Sequence, residues 1–399
     1  MKNKNPFPIM RCGVISPQEW GLPVARVSER TVPGLGESGI ELENRIRNSI
    51  DLWLPRHFDE KEGAFFGFYR APESFFEPPQ TVNLIAPWLS LAAYDRWQDG
   101  RYLIQAVSAA DWFYQRFVVS HPMSVVIGGV RERLPDGELW TKFAAEYVLL
   151  AIGIHQRTGQ DHYLTQARQS AGFLVQSARH GHAPRYNERD SVWLEKGWQS
   201  FGRVVEAFLC LGQAAGEARW LSAALQWGEY GLNLLAEDNG LYLIDDEYFN
   251  TDIAADELRA FVFLYEQTGE PKWLDAAERN AGWLLARQQA DGAWPLTIDR
   301  DGNIVVETVG PGDVPNIAVA FLRLHAHTGD KTILAAAVNA FRYSLSTQVL
   351  PGSGHPYADD PNVQWGFWSW DPYYDYTLSG DQATHHIRGL MFALDYLLQ

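Results

Sequence analysis

The 399-residue chain is predicted to be all-α: an (α/α)6 barrel, or toroid, with short β-hairpins in the long loops on one face. Three observations carry this expectation. A helix-pair motif returns at near-constant spacing, the two ends supply unpaired helices that complete one another, and short connections alternate with long ones.

The motif is a glycine turn, one or two polar residues, then a helix with apolar residues at helical spacing. "QRTGQDHYLTQARQSAGFLVQS" and "EQTGEPKWLDAAERNAGWLLARQ" are two of its five occurrences. The turn glycines are Gly100, Gly159, Gly216, Gly269 and Gly329, so successive spacings are 59, 57, 53 and 60 residues. Glycine suits the end of a helix because it enters the left-handed conformation without a Cβ penalty. Before each turn lies a more apolar helix, as in "GWQSFGRVVEAFLCLGQ". Each repeat therefore reads as a buried inner helix, a tight turn and an amphipathic outer helix.

"ELENRIRNSIDLWLPRHF" near the start is an outer-type helix without a partner, and "QATHHIRGLMFALDYLLQ" at the end is an inner-type helix without one. Together they make a sixth pair and close the ring. Inner helices are expected near 81–98, 140–157, 197–213, 252–266, 313–327 and 382–398. Residues 1–41 read as an extended arm, long enough to wrap its own ring or a neighbour's in a homo-oligomer, and 42–399 as one toroid. An open solenoid would carry polar terminal caps, whereas the last helix here is apolar.

Inner-to-outer turns are a few residues long, while outer-to-inner connections run roughly 15 to 35 residues, a length that marks functional loops. Alternation sends all the long connections to one face, at the N-terminal ends of the inner helices. Several of them place Asp-Gly or Asn-Gly between alternating residues, the signature of a hairpin. "DRDGN" lacks the ligand spacing of a calcium loop and reads as such a turn.

This face gathers rings and carboxylates. Trp365, Phe367, Trp368, Trp370, Tyr373, Tyr374 and Tyr376 crowd one loop punctuated by glycine and proline. Trp198 and Gln199 open the third inner helix, and Trp294 follows a turn in "DGAWP". Flat rings with polar edges suit sugars, whose C–H faces stack on them. Glu195, Asp252, Asp256, Asp313 and Asp381 lie at the starts of inner helices, where aspartate also serves as an N-cap. Asp313 and Asp381 fit that capping role, but Asp256 falls a full turn inside its helix, on the face shared with Asp252. Carboxylates converging on one cavity supply what glycosidic cleavage needs. Six helix N-termini add positive partial charge, which favours ionised carboxylates and anionic sugars. Arg131, Arg133, Arg185 and Arg189 are candidates for holding a sugar carboxylate. His385 and His386 lie one turn into the last inner helix, near Asp381, and one of them is a candidate proton carrier.

Composition narrows the field. A net charge of −16 without basic clusters argues against nucleic acid. Cys12 and Cys210 supply neither a disulfide framework nor metal-ligand spacing. With no signal-peptide pattern and no apolar run of membrane length, the expected protein is soluble and cytoplasmic. The Cys and His ligands of metal-dependent toroids are missing, so neither a metal nor another cofactor is expected.

The paired-helix ring with one loop-rich face resembles the six-hairpin glycosidase superfamily over residues 42 to 399. "WLEKGWQSFGRVVEAFL" is similar to the inner-helix start of the unsaturated glucuronyl hydrolases, though it lacks their Arg-Gly-Asn core, so no catalytic residue is carried over. The resemblance implies a glycoside hydrolase acting on an oligosaccharide, with uronic-acid-containing chains included, through an Asp/Glu pair. Asp252 or Asp256 would act with Glu195, Asp313 or Asp381. The alternatives are a sugar epimerase of the N-acylglucosamine 2-epimerase kind or a lyase, working through His385, His386 or a tyrosine, and a non-catalytic toroid that binds glycan.

Overall fold

A computed structural model describes residues 13–372 and 375–399. Its helices are α1 (Pro17–Trp20), α2 (Gly39–Asn48), α3 (Ala86–Trp97), α4 (Gly100–Phe117), α5 (Thr141–Thr158), α6 (Asp161–Arg179) and α7 (Phe201–Ala215). They continue as α8 (Ala218–Leu234), α9 (Thr251–Thr268), α10 (Pro271–Leu285), α11 (Asp313–Thr328), α12 (Lys331–Ser346) and α13 (Gly380–Leu397). The apolar helices α3, α5, α7, α9, α11 and α13 are the six inner helices of the repeat, and the even-numbered helices α2 to α12 are the outer ones. The fold class is the (α/α)6 barrel.

Gly159, Gly216, Gly269 and Gly329 cap α5, α7, α9 and α11 with φ between 66° and 71°, as the repeat requires. Gly100 does not: it begins α4, and Gln98 takes the left-handed position at φ 56°. The Gln98 N–H bonds the Tyr94 carbonyl at 2.8 Å, and its side chain donates to the Tyr94 and Asp95 carbonyls, both at 3.1 Å, at the end of α3.

Strands β1 (Phe58–Asp59), β2 (Ala64–Phe65), β3 (Phe68–Arg70) and β4 (Phe75–Phe76) precede α3. β5 (Leu139–Trp140), β6 (Arg185–Asn187), β7 (Val192–Leu194), β8 (Tyr248–Asn250), β9 (Thr297–Asp299), β10 (Ile304–Val306) and β11 (Thr377–Ser379) follow. β5, β8 and β11 run directly into α5, α9 and α13, so the small sheets stand at the N-terminal ends of inner helices. The "DRDGN" turn is a hairpin tip. Gly302 takes φ 83°, and the Asp299 carboxylate accepts the Asn303 side-chain amide at 3.0 Å and the Asn303 and Asp301 N–H groups, bonds that hold that carboxyl below its usual range.

The helix pairs fall into two compact units. The first joins Phe113–Ala286 to Thr297–Val305, and the second joins Ile15–Trp112, Arg287–Leu296 and Val306–Gln399. In the first, α5, α7 and α9 pack side by side against α6, α8 and α10. Gly202 permits the tight approach of α7 to α9, since a Cβ there would lie 2.4 Å from the Asp256 carbonyl oxygen.

In the second unit α13 packs between α3 and α11, and the described part of the arm seats on these helices of its own chain. Trp20 stacks on Tyr396 at 5.5 Å, and the Arg323 guanidinium lies 5.0 Å over its ring. The buried Asp395 carboxylate accepts from Gln18 Nε2 (2.9 Å), the Ala25 N–H (2.8 Å) and Arg96 Nη1 (2.8 and 2.9 Å). The arm then enters α2 through a capping box, Ser38 with Glu41.

Candidate functional site

In the first unit the inner helices carry a ladder of charge. Side-chain exposure falls from 26% at Asp252 through 9% at Lys142, 5% at Glu146 and 2% at Arg203 to zero at Glu206 and Asp256. Asn250 is the N-cap of α9 and accepts the Asp252 N–H at 2.9 Å. The Asp252 side chain is thereby left to pair with the Lys142 ammonium, which lies 5.5 Å from the Trp198 ring centroid. One turn along α5, the Glu146 carboxyl is 3.8 Å from Arg203 Nε. Arg203 then bonds Glu206 (2.9 Å) and Asp256 (2.7 Å), and Arg259 bonds the same two carboxyls at 2.6 and 2.9 Å. Glu257 accepts the Gly202 N–H at 2.6 Å.

Acid outnumbers base in this ladder: Glu146, Glu206, Asp252, Asp256 and Glu257 face Lys142, Arg203 and Arg259. Burial disfavours the charged forms of Glu146, Glu206 and Glu257. Burial pushes the Glu146 carboxyl up to about 8, against the pull of Lys142 and Arg203. It also raises Glu206, against Arg259 and Arg203, and Glu257, with Asp256 adding to the effect. Burial works against the Lys142 charge as well, but Asp252 and Glu146 outweigh it and hold the ammonium above the lysine range. A buried charge cluster of this kind is a weak device for stability and a frequent mark of a working site.

The other predicted residues of this unit lie in its loops. Glu195 is exposed ahead of α7. Gln199 is buried, and its N–H bonds the Leu243 carbonyl at 2.8 Å. Arg131 forks onto Glu188 at 2.8 and 3.0 Å. Arg185 bonds Glu138 at 2.7 Å and lies 5.5 Å from the Trp140 ring centroid, its partner across β5 and β6.

In the second unit, neither predicted aspartate cap makes the capping bond. Asp313 is the first residue of α11 behind Gly312, and Ser379, two residues before Asp381, accepts the Gln382 N–H at 3.2 Å and caps α13. Asp381 lies 3.4 Å from His385 Nε2. His386 is fully buried, with Nδ1 2.7 Å from Ser344 Oγ and its ring stacked on Phe367 at 4.1 Å. Burial, then the neighbouring His385, holds its imidazole well below the usual range. Trp294 and Trp368 are buried, Trp294 edge-on to Phe321 and Trp368 edge-on to Tyr376. Trp365, Trp370 and Tyr376 keep part of their surface open. Tyr374 lies outside the described residues.

Lys142, Glu146, Arg203, Glu206 and Glu257 had not been singled out from the sequence. The signal that marks them is charge at i,i+3 or i,i+4 inside otherwise apolar helices, as in "TKFAAEYVLLAIG" and "FGRVVEAFL". Among the described residues no group of three or more His, Cys, Asp or Glu is placed to hold a metal ion, and no helix is long and apolar enough to cross a membrane.

Paired helices, with short strands leading into the N-terminal ends of inner helices, make up the (α/α)6 fold. No protein-family model and no curated protein matches the chain. Among solved structures it is similar to a sugar epimerase from a ruminal bacterium (TM-score 0.73, 14% identity, 89% of this chain and 98% of that one). It is similar also to cellobiose 2-epimerase from Bacillus thermoamylovorans (TM-score 0.71, 14% identity, 90% and 98%). An unsaturated glucuronyl hydrolase specific for heparin follows the same fold (TM-score 0.61, 13% identity, 88% and 96%).

Proposed function

We propose that this protein is a glycoside hydrolase that cleaves an oligosaccharide, uronic-acid-containing chains included. One observation carries the reading: two carboxyls on α5 and α9, the inner helices that flank α7, sit in different environments. Asp252 faces an ammonium at the part-open end of the ladder, while Glu146 is buried and keeps its proton near neutral pH. A carboxyl that keeps its proton and a second one paired with a cation can divide acid from base work. Glu146 gives its proton to the glycosidic oxygen as the bond to the anomeric carbon breaks. Asp252 takes a proton from the water that adds to that carbon, or attacks it directly and is released by water in a second step. Trp198 offers a ring for the sugar to stack on, and Lys142 holds Asp252 in place. The similarity in fold to a glucuronyl hydrolase supports the same class.

The test is release of new reducing ends from an oligosaccharide panel. Asp252→Asn and Glu146→Gln should each abolish release while circular dichroism and thermal unfolding still report a folded chain. Full activity in either variant refutes the assignment.

A second reading, a sugar epimerase, is favoured by the His385–Asp381 pair at the start of α13 and by the two epimerases that share the fold. It predicts exchange of a substrate C–H for deuterium in heavy water with chain length unchanged. Binding without either reaction would leave a glycan-binding toroid.

A further inference from the structure

The first unit holds a pocket of about 1250 Å³ between the loop 131–140 and the β6–β7 hairpin, and five of its fourteen lining residues are arginines: Arg116, Arg131, Arg133, Arg185 and Arg189. That concentration stands out in a chain of net charge −16. We infer that this pocket binds the acidic groups of a uronic-acid-containing oligosaccharide, with Arg133 and Arg189 taking the sugar carboxylates. The inference rests on the carbohydrate reading above and specifies its substrate.

The arginines divide by partner. Arg131 and Arg185 are spent on Glu188 and Glu138, and these two ion pairs brace the loop against the hairpin. Arg133 and Arg189 are exposed and have no carboxylate partner among the described residues. Their backbones are held. Arg133 begins a turn closed by the Gly137 N–H on its carbonyl (3.0 Å) and by the Glu132 N–H on the Glu138 carbonyl (2.9 Å). A Cβ at Gly137 would lie 2.5 Å from the Arg133 backbone, so the turn stays tight. Arg189 stands at the hairpin tip, beside an Asp190 N–H bound by the Asn187 side chain at 3.0 Å.

A guanidinium with open donors matches a carboxylate in geometry and charge, and the Trp140 ring lies in the same wall for the sugar to rest on. The volume accommodates several sugar rings, being above the usual ~300–1000 Å³ of a small-ligand site. Glu132 and Asp136 share the lining and temper the attraction, so the expected preference for acidic over neutral sugars is on the order of tenfold, screened by salt.

The test is calorimetric titration of the full chain with tetrasaccharides of galacturonate, alginate and chondroitin, each against its carboxyl-reduced counterpart, at low and high salt. At least one acidic form should bind about tenfold more tightly than its reduced form at low salt, with the margin shrinking as salt rises. The double variant Arg133→Gln/Arg189→Gln should bind both forms alike. Equal binding of acidic and reduced forms, a preference that survives the double variant, or no binding of any acidic form overturns the inference. Binding is read without cleavage, so charge preference without new reducing ends would remove the hydrolase reading alone. Cleavage without charge preference would remove this inference alone.

Discussion

Replacing Glu146 with Gln keeps the side chain's shape and takes away one titrating proton. The native carboxyl is pushed up to about 8 from an ordinary 4.5, so the folded chain holds a proton that the unfolded chain releases throughout that interval. Because the folded value is raised, the favourable contribution is whole below pH 4.5 and is lost as pH climbs through about 8. Each pH unit within the window costs on the order of 1 kcal/mol of stability per such group. Glu206 and Glu257 move in the same direction, which steepens the wild-type curve. Neutral buried His386 tilts it the opposite way below 6.5. Urea unfolding at several pH values between 6.5 and 8 therefore isolates the carboxyls. Wild-type stability should fall as pH rises, and Glu146→Gln should lose one proton's share of that slope. Proton uptake measured on folding in the same range should drop by about one per molecule. If the variant's stability curve runs parallel to the wild type, Glu146 is not protonated in the folded chain and its assignment as the proton donor fails.

Gly202→Ala sets a methyl 2.4 Å from the Asp256 carbonyl oxygen and should cost about 1–3 kcal/mol, read as a lowered urea midpoint at unchanged slope. Asp395→Asn removes the charge that holds Arg96, Gln18 and Ala25; a loss of about 3–5 kcal/mol and faster proteolytic nicking near residues 21–30 are expected. His386→Phe removes a histidine whose folded value is depressed. That histidine's share of the stability is lost as pH falls below 6.5, opposite in sign to the share of the raised carboxyls, so the variant's stability relative to the wild type should rise as pH falls, checked by thermal unfolding of both across that range.

The ring of paired helices was legible because its punctuation is local. Gly159, Gly216, Gly269 and Gly329 each declare a left-handed cap whatever surrounds them. Gln98 was not legible, because a side chain that satisfies its own helix end looks like any polar surface residue until the bond to Tyr94 is seen. Asp252 was found at the start of its helix, but its partner Lys142 lies 110 residues away and only packing joins them. Glu146 and Arg203 were passed over for a related reason: a charge in an apolar helix can face solvent, substrate or another charge, and periodicity does not choose among these. The aromatic loop shows the converse. Its rings were visible as a group, yet burial divides Phe367 and Trp368 from Trp365 and Trp370, and composition carries no sign of that division.

The carboxylate of Asp395 also sets an order of events. It binds Ala25 across 370 residues of chain, so the segment around Ala25 has no anchor there until Asp395 has been synthesised. Loop closure over such a distance comes late in folding. Until then the ring of Trp20 lacks the Tyr396 ring it stacks on, a vulnerable interval in which a chaperone has something to hold.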